Sequence, residues 1–278
     1  MNGTLYVVAT PIGNLSDITH RAIKVLTDVA VIACEDTRHT HKLLQHLGIK
    51  TKTISYHEHN ETQRSKQLIE MLIEGRNVAV VSDAGTPAIS DPGFKLVREA
   101  IEKNIEVVPI PGPSALLTAL VASGLPTDEF FFAGFLPPRS GARQKRLHEL
   151  ASIPGTLVFY EAPHRLGETL KDAHEILGER EAVVARELTK LHEEICRGRL
   201  SELARHYELE EEPRGEIVLL IDRTVLNEVT PARSVSEIVA ELEGQGLDNR
   251  AALKKAAREL GLPRAEAYRQ LLLERNRT

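Results

Sequence analysis

The stretch Val80–Gly93, "VVSDAGTPAISDPG", decides how this chain is read. It ends the short apolar run "NVAVV" (77–81) at Ser82 and Asp83, then places Gly85, Pro87, Pro92 and Gly93 within one loop. The run is short, β-branched and does not alternate, as in a strand buried on both faces, and the Gly/Pro cluster behind it forbids helix and strand alike. A strand therefore stops at a shaped loop. Open α/β sheets place ligands at such loops, beyond the carboxyl ends of parallel strands. The alternative is a plain connection, although most connections are shorter than this one.

Outward from that loop, strand and helix patterns alternate. Toward the amino terminus lie the strand patterns "TLYVVA", "VAVIAC" and "TISY". Between them stand the helix patterns "DITHRAIKVLTD", "TRHTHKLLQHLG", stopped at Gly48, and "ETQRSKQLIEMLIEG", stopped at Gly75. The helix "GFKLVREAIEKN", the strand "EVVPI" and the helix "SALLTALVASG" complete the unit. Repeated βα alternation implies a mostly parallel sheet covered on both faces. "SGLPTDE" breaks the rhythm and marks a first boundary, giving an α/β domain over 1–124. A second α/β domain over 125–226 contains the strands "FFFAGF", "GTLVFYEA", "EAVVARE" and "GEIVLLID" with the helices "PHRLGETLKDAHEILG" and "RLSELARHY". An acidic run spans 208–212. After a linker, "TVLNEVTPAR", three helix patterns over 232–278 read either as a helix-turn-helix-like module or as a small bundle.

The 278 residues suffice for two domains and an appendage, and a 42% apolar, 4% aromatic, Trp-free composition suits an aliphatic α/β core. Cys34 and Cys196 lack metal or redox spacing and read as reduced, buried thiols of a cytosolic protein. His39, His41 and His46 make a poor chelate on a helix and read as exposed. The amino terminus resembles no secretory leader, and no apolar segment reaches membrane-spanning length, so a soluble, unexported protein is expected. The net charge of −5 argues against a general nucleic-acid binder. Yet the chain from Leu247 onward carries eight Lys/Arg against four acids, and "PPRSGARQKR" adds Arg139, Arg143, Lys145 and Arg146. Each patch alone reads as a solvated face; together they point to a polyanion.

Four loops follow strand patterns: "VATPIGN" (8–14), "CEDTR" (34–38), the opening loop and "PIPGPSA" (109–115). No G-x-x-x-x-G-K-[ST] and no G-x-G-x-x-G is present, which leaves a P-loop ATPase or a Rossmann dehydrogenase without support. Small residues, prolines and scattered charge suit a neutral-to-cationic, partly apolar ligand better than a triphosphate. Asp83 can accept hydrogen bonds from such a ligand, and Ser114 stands as a helix N-cap.

In this order, "VATPIGNLSDITHRA", "ACEDTRHT", "VSDAGTPAISDPG", "PGPSALLTAL", "FFFAGFLP" and "FYEAPHRL" closely resemble the tetrapyrrole methylase superfamily over essentially the whole chain. Within it they resemble the branch that methylates the 2′ oxygen of a cytidine in 16S ribosomal RNA. The resemblance implies two α/β domains with S-adenosylmethionine in the cleft between them, a non-Rossmann methyltransferase fold, a small C-terminal helical domain, and a cytoplasmic homodimer. It also implies cofactor contacts at Ile12, Asp83, Ala84, Gly85, Ile89, Ser90, Ser114, Ala115 and Tyr160. The chain has "ATPIG" where porphyrin-modifying branches carry a glycine-rich "GxGPG", which argues against a tetrapyrrole substrate.

Methyl transfer to a ribose hydroxyl is an in-line displacement aided by alignment and by a base. "YEAPHRL" offers Glu161 as base or hydroxyl orienter, His164, and Arg165 as a phosphate or ribose clamp. The competing reading of Glu161 and Arg165 is a structural ion pair at i and i+4. Asp36 and Arg38 of "CEDTR", the basic cluster, and Lys254, Lys255 and Arg258 are the candidate RNA contacts. Two other functions compete: methylation of a corrin or porphyrin intermediate, and a non-catalytic RNA-binding factor of ribosome assembly.

Overall fold

The computed structural model describes residues 1–209, 214–223, 235–259 and 262–275. The expected linker over 224–233, the acidic residues 210–212 and Arg277 lie outside them. The chain divides into two compact units, Met1–Thr224 and Val225–Thr278.

The first unit starts with five βα repeats: β1 (Leu5–Val8), α1 (His20–Asp28), β2 (Val31–Cys34), α2 (Thr37–His46), β3 (Thr53–Ser55), α3 (Glu61–Ile73), β4 (Val78–Val80), α4 (Phe94–Glu102), β5 (Val107–Ile110) and α5 (Ala115–Ser123). The five strands form a wholly parallel sheet in the order β3-β2-β4-β1-β5. Its strands bury both faces. Leu5, Val31, Ala33, Val78 and Val80 meet Leu68 and Leu72 of α3 and Leu96 of α4. The alternate residues Val8, Ile32, Cys34 and Ala79 meet Leu26 of α1 and Leu44 of α2. Each such fully buried aliphatic side chain contributes roughly 1.5–3 kcal/mol. Helix α1 begins three residues later than the sequence pattern suggests, because the Thr19 hydroxyl accepts the Ala22 amide at 3.0 Å and sets the N-cap there. Gly48, Gly75 and Gly124 follow their helices with φ of +69°, +85° and +81°.

The second sheet is mixed. It contains β6 (Phe130–Phe135), β7 (Thr156–Glu161), β8 (Glu181–Arg186), β9 (Glu194–Arg199) and β10 (Ile217–Ile221) in the order β6-β7-β10-β8-β9. Only β6 and β7 are parallel; β10 runs antiparallel to both its neighbours. Helices α6 (Ser140–Leu150), α7 (Leu166–Leu177) and α8 (Leu200–Leu209) cover one face through Leu147, Leu170 and Leu203. The other face is covered by α5, whose Leu116, Ala119 and Leu120 pack on Val158, Val183 and Val218. The chain therefore crosses from the first sheet to the second before Gly124, because α5 is apolar nearly all round and finds its partner surface on the second sheet. Helix α6 and strand β9 were not legible as regular elements, and Cys196 on β9 is half-buried where Cys34 is fully buried.

In the second unit, α9 (Val235–Gly244), α10 (Asn249–Glu259) and α11 (Arg264–Arg275) enclose a core of their own, including Ile238, Leu242, Leu253, Ala256 and Leu271. Small Ala252 and Ala256 turn inward on α10, which leaves Lys254, Lys255 and Arg258 exposed.

Candidate active site

Three neighbouring strands of the first sheet, β4, β1 and β5, deliver their carboxyl-terminal loops to one side of a cavity of about 350 Å³. Ile12 comes from the loop after β1, Asp83 to Thr86 and Ile89 to Asp91 from the loop after β4, and Ser114 and Ala115 from the entry to α5. The second sheet supplies the opposite wall. Phe135 lies at the end of β6, Tyr160 to Pro163 close β7, Leu188 follows β8, and Gly215 to Val218 open β10. Because β10 is antiparallel, its beginning rather than its end reaches the cavity.

The loop after β4 is held in shape from several sides. Thr10 and Gly85 exchange backbone hydrogen bonds of 2.9 and 3.1 Å, and the Ser82 hydroxyl donates to the carbonyls of Ala84 and Gly85. Gly85 adopts φ +82°, and a Cβ there would stand 3.3 Å from Ile12 Cγ2. Ala88 and Ser90 also hold positive φ, +66° and +60°, a strained backbone of the kind found at ligand sites. At the far end, buried Glu61 accepts from the Tyr56 hydroxyl at 3.0 Å and from Lys95 Nζ at 2.9 Å, with the Gly93 amide at 3.5 Å.

The cavity is apolar on Ile12, Leu188, Ile217 and Val218 and carries carboxylates on Asp83, Asp91 and Glu216. Asp91 has its pKa pushed up to about 6 by burial, reinforced by the charges of Glu35 and Asp83. Burial also raises Glu35, with Asp83 adding to the effect. Tyr160 is raised by burial and then by the charge of Asp91. Its ring meets Phe132 edge-on at 4.9 Å and Phe135 at 5.6 Å between centroids. Such a chamber favours a ligand that is cationic and partly apolar.

All nine positions expected to touch a cofactor, Ile12, Asp83, Ala84, Gly85, Ile89, Ser90, Ser114, Ala115 and Tyr160, line this one cavity. Two details differ from expectation. Ser114 occupies the N-cap position of α5 but its side chain makes no capping hydrogen bond, and Asp83 Oδ1 already accepts the Asp36 amide at 3.1 Å. The lining residues Asp91, Phe135, Leu188 and Gly215 to Val218 were missed. Asp91 stood in the opening stretch itself, within a Pro/Gly turn that gave the reason to look.

The catalytic candidates separate. Glu161 is not a free base. Its Oε1 accepts from the Ala162 amide at 2.7 Å and from Arg165 Nε and Nη2 at 3.0 and 2.6 Å, while Oε2 accepts the Thr169 hydroxyl at 2.7 Å. The side chain is 1% exposed, so the ion-pair reading describes Glu161 and Arg165. His164 is not part of the chamber lining: it is exposed and lines another groove with Gly167, Lys171 and Arg205.

Among the RNA candidates, Arg143 is corrected. It is 1% exposed and sits on the buried face of α6 with Leu147 and Leu150, donating to Asp172 at 2.6 Å and to Glu168 at 3.3 Å. Its i, i+4, i+7 spacing with those leucines was the available signal. Arg139 and Lys145 are exposed, and Arg146 pairs with Glu149 at 2.9 Å. Asp36 caps α2 through the Arg38 amide and holds the exposed Arg38 guanidinium, a bond that keeps its carboxyl down at about 2.

Residues 4–204 match the model of the tetrapyrrole (corrin/porphyrin) methylases. The chain belongs to the tetrapyrrole methylase family. Among its relatives in the family, the ribosomal RNA small subunit methyltransferase I of Synechocystis sp. is 50% identical over 98% of each chain. The protein of the same name from Halalkalibacterium halodurans is 48% identical over 96% of this chain and 93% of that one. Among solved structures of this methylase fold, the uroporphyrin-III C-methyltransferase from Thermus thermophilus complexed with S-adenyl homocysteine aligns with a TM-score of 0.55. It is 20% identical and covers 78% of this chain and 96% of that one. No helix among the described residues is long and apolar enough to cross a membrane.

Proposed function

We propose that the protein binds S-adenosylmethionine in the chamber between its two sheets and methylates the 2′ oxygen of a cytidine ribose in small-subunit 16S ribosomal RNA. The observation that carries this reading is the convergence of loops far apart in sequence on one chamber whose lining fits the cofactor. Apolar Ile12, Leu188 and Val218 suit a nucleoside, and Asp83 and Glu216 suit its positive charge. Gly85 lets backbone approach where a Cβ would press on Ile12. The relatives named for small-subunit rRNA methylation support the substrate.

When bound, S-adenosylmethionine supplies a methyl group on a cationic sulfur. The chain's own residues do the rest. Ile12, Leu188 and Val218 exclude water, which strengthens the interactions of the carboxylates around the charge. Tyr160, packed on Phe132 and Phe135, gives the chamber a rigid wall. Glu161 acts at one remove: by binding the Ala162 amide and Arg165 it fixes the turn after β7, and with it the Ala162–Pro163 rim of the chamber. Holding a hydroxyl in line with the methyl group contributes on the order of 7 kcal/mol or more in well-oriented systems.

Arg139 and Lys145 on α6, and Lys254, Lys255 and Arg258 on α10, are exposed cations available to RNA phosphates. The protein acts as a cytoplasmic homodimer, its interface drawing on the apolar surface left open by Leu117 and Val121 of α5 and by Phe130, Phe131 and Phe135 of the edge strand β6. Incubation with labelled S-adenosylmethionine and either small ribosomal subunits or precorrin tests the substrate. Label in the rRNA is expected. Label in the corrin alone would refute the reading, and cofactor binding without transfer to any RNA would leave an assembly factor in its place.

A further inference from the structure

Four carboxylates border the chamber, and they are not equivalent. Glu161 has both oxygens occupied by Arg165, Thr169 and the Ala162 amide. Glu216 is tied to Lys190 Nζ at 3.2 Å, and Lys190 in turn to Glu187 at 2.7 Å. Asp83 gives one oxygen to the Asp36 amide. Asp91 lines the chamber with no cation paired to it among the described residues. The charges acting on it most strongly are the carboxylates of Glu35, Asp83 and Glu216.

We infer that Asp91 is the catalytic base that takes the proton from the substrate hydroxyl, an inference that rests on the methyltransferase reading of the chamber. A general base must be free to accept a proton, border the site of reaction and be held still, and Asp91 lines the chamber without a paired cation on a fixed backbone. Asp91 and Tyr160 both line the chamber, and the Asp91 charge acts on Tyr160. Its backbone is fixed between Ser90 at φ +60° and Gly93, which Glu61 anchors from behind.

The step balances. The hydroxyl proton passes to an Asp91 Oδ as the oxygen forms its bond to the methyl carbon. The electron pair of the breaking carbon–sulfur bond stays on sulfur, leaving a neutral thioether, and Asp91 later returns the proton to water. The groups facing Asp91 set its protonation. Burial is the main cause, and Glu35 after β2, Asp83 on its own loop and Glu216 before β10 oppose its negative charge, which places its titration near 6, suited to a base working at neutral pH, while Tyr160 on β7 stays neutral there.

The test uses the full-length protein and Asp91→Asn. Methyl transfer to small ribosomal subunits is followed from pH 5 to 8.5, S-adenosylmethionine binding is measured by calorimetry, and the Asp91 carboxyl is titrated by carbon NMR in the unliganded protein. Wild-type kcat/KM should fall about tenfold per unit below pH 6, tracking the NMR titration of the unliganded protein. Asp91→Asn should lose roughly 10²–10⁴-fold in kcat, lose that acid limb, and bind S-adenosylmethionine within about threefold of wild type. Near-normal kcat in Asp91→Asn, or a retained acid limb, would overturn the assignment while leaving the methyltransferase intact. Tenfold weaker cofactor binding with kcat preserved at saturation would make Asp91 a binding residue instead. Absence of transfer by the wild type would overturn the functional reading and this assignment with it.

Discussion

Arg143 offers the sharpest separation between what a basic sequence cluster suggests and what packing makes of it. Replacing it with Met keeps a long, flexible side chain against Leu147 and Leu150 but removes the guanidinium from Asp172, which is only 8% exposed. The loss comprises the 2.6 Å bond to Asp172, the 3.3 Å bond to exposed Glu168 and a 3.4 Å bond to the Pro138 carbonyl. Breaking a buried ion pair from one side costs roughly 3–5 kcal/mol. Asp172 keeps the Ser140 hydroxyl and Gln144 Nε2 as donors, so the lower end, about 3 kcal/mol, is expected. Urea denaturation reads this directly. Arg143→Met with Asp172→Leu should recover to within about 1 kcal/mol of wild type, since an apolar pair can replace a buried ionic one. Across the same variants rRNA affinity should stay within about twofold at permissive temperature, whereas Lys145→Ala should flatten the salt dependence by roughly 0.7–0.9 in slope. Wild-type stability with weakened RNA binding in Arg143→Met would refute the structural role and restore Arg143 to the RNA surface.

Gly85→Ala should weaken S-adenosylmethionine binding by roughly 5–30-fold in calorimetry, because φ +82° costs an L-residue about 1–2 kcal/mol and its Cβ presses on Ile12; unchanged binding would count against that loop as the cofactor wall. Glu161→Gln should cost about 2–3 kcal/mol in denaturation by leaving half-buried Arg165 without its counter-charge; full stability with lost turnover would return Glu161 to the chemistry. The raised Asp91 carboxyl favours the folded state when protonated, so its contribution is greatest below about pH 4 and is lost as pH rises through 6. Asp91→Asn should accordingly be more stable than wild type at pH 8, by up to ~3 kcal/mol, with the gap closing toward pH 4; a pH-independent difference would contradict the charge crowding around it. Removing residues 225–278 should weaken rRNA binding and leave cofactor binding unchanged, and equal loss of both would remove the helical unit from RNA recognition.

The sequence by itself determined the parallel sheet and the loops that line the chamber. Asp83, Gly85 and Ser114 were legible because a parallel strand ends where its ligand loop begins, and short apolar runs closed by Gly and Pro report that local event. Whatever depended on a partner distant in the chain was decided by the tertiary structure. Strand β10 brings Gly215 to Val218 to the chamber only because it runs antiparallel to β7, an orientation that no local pattern records. Helix α5 follows the first sheet in sequence but covers the second, because its apolar faces bury most surface there. Arg143 and Glu161 carry the residue types of an RNA surface and an active site. Their counter-charges, buried Asp172 on α7 and half-buried Arg165 after β7, make them structural, since a charge removed from water persists only where the fold supplies its partner.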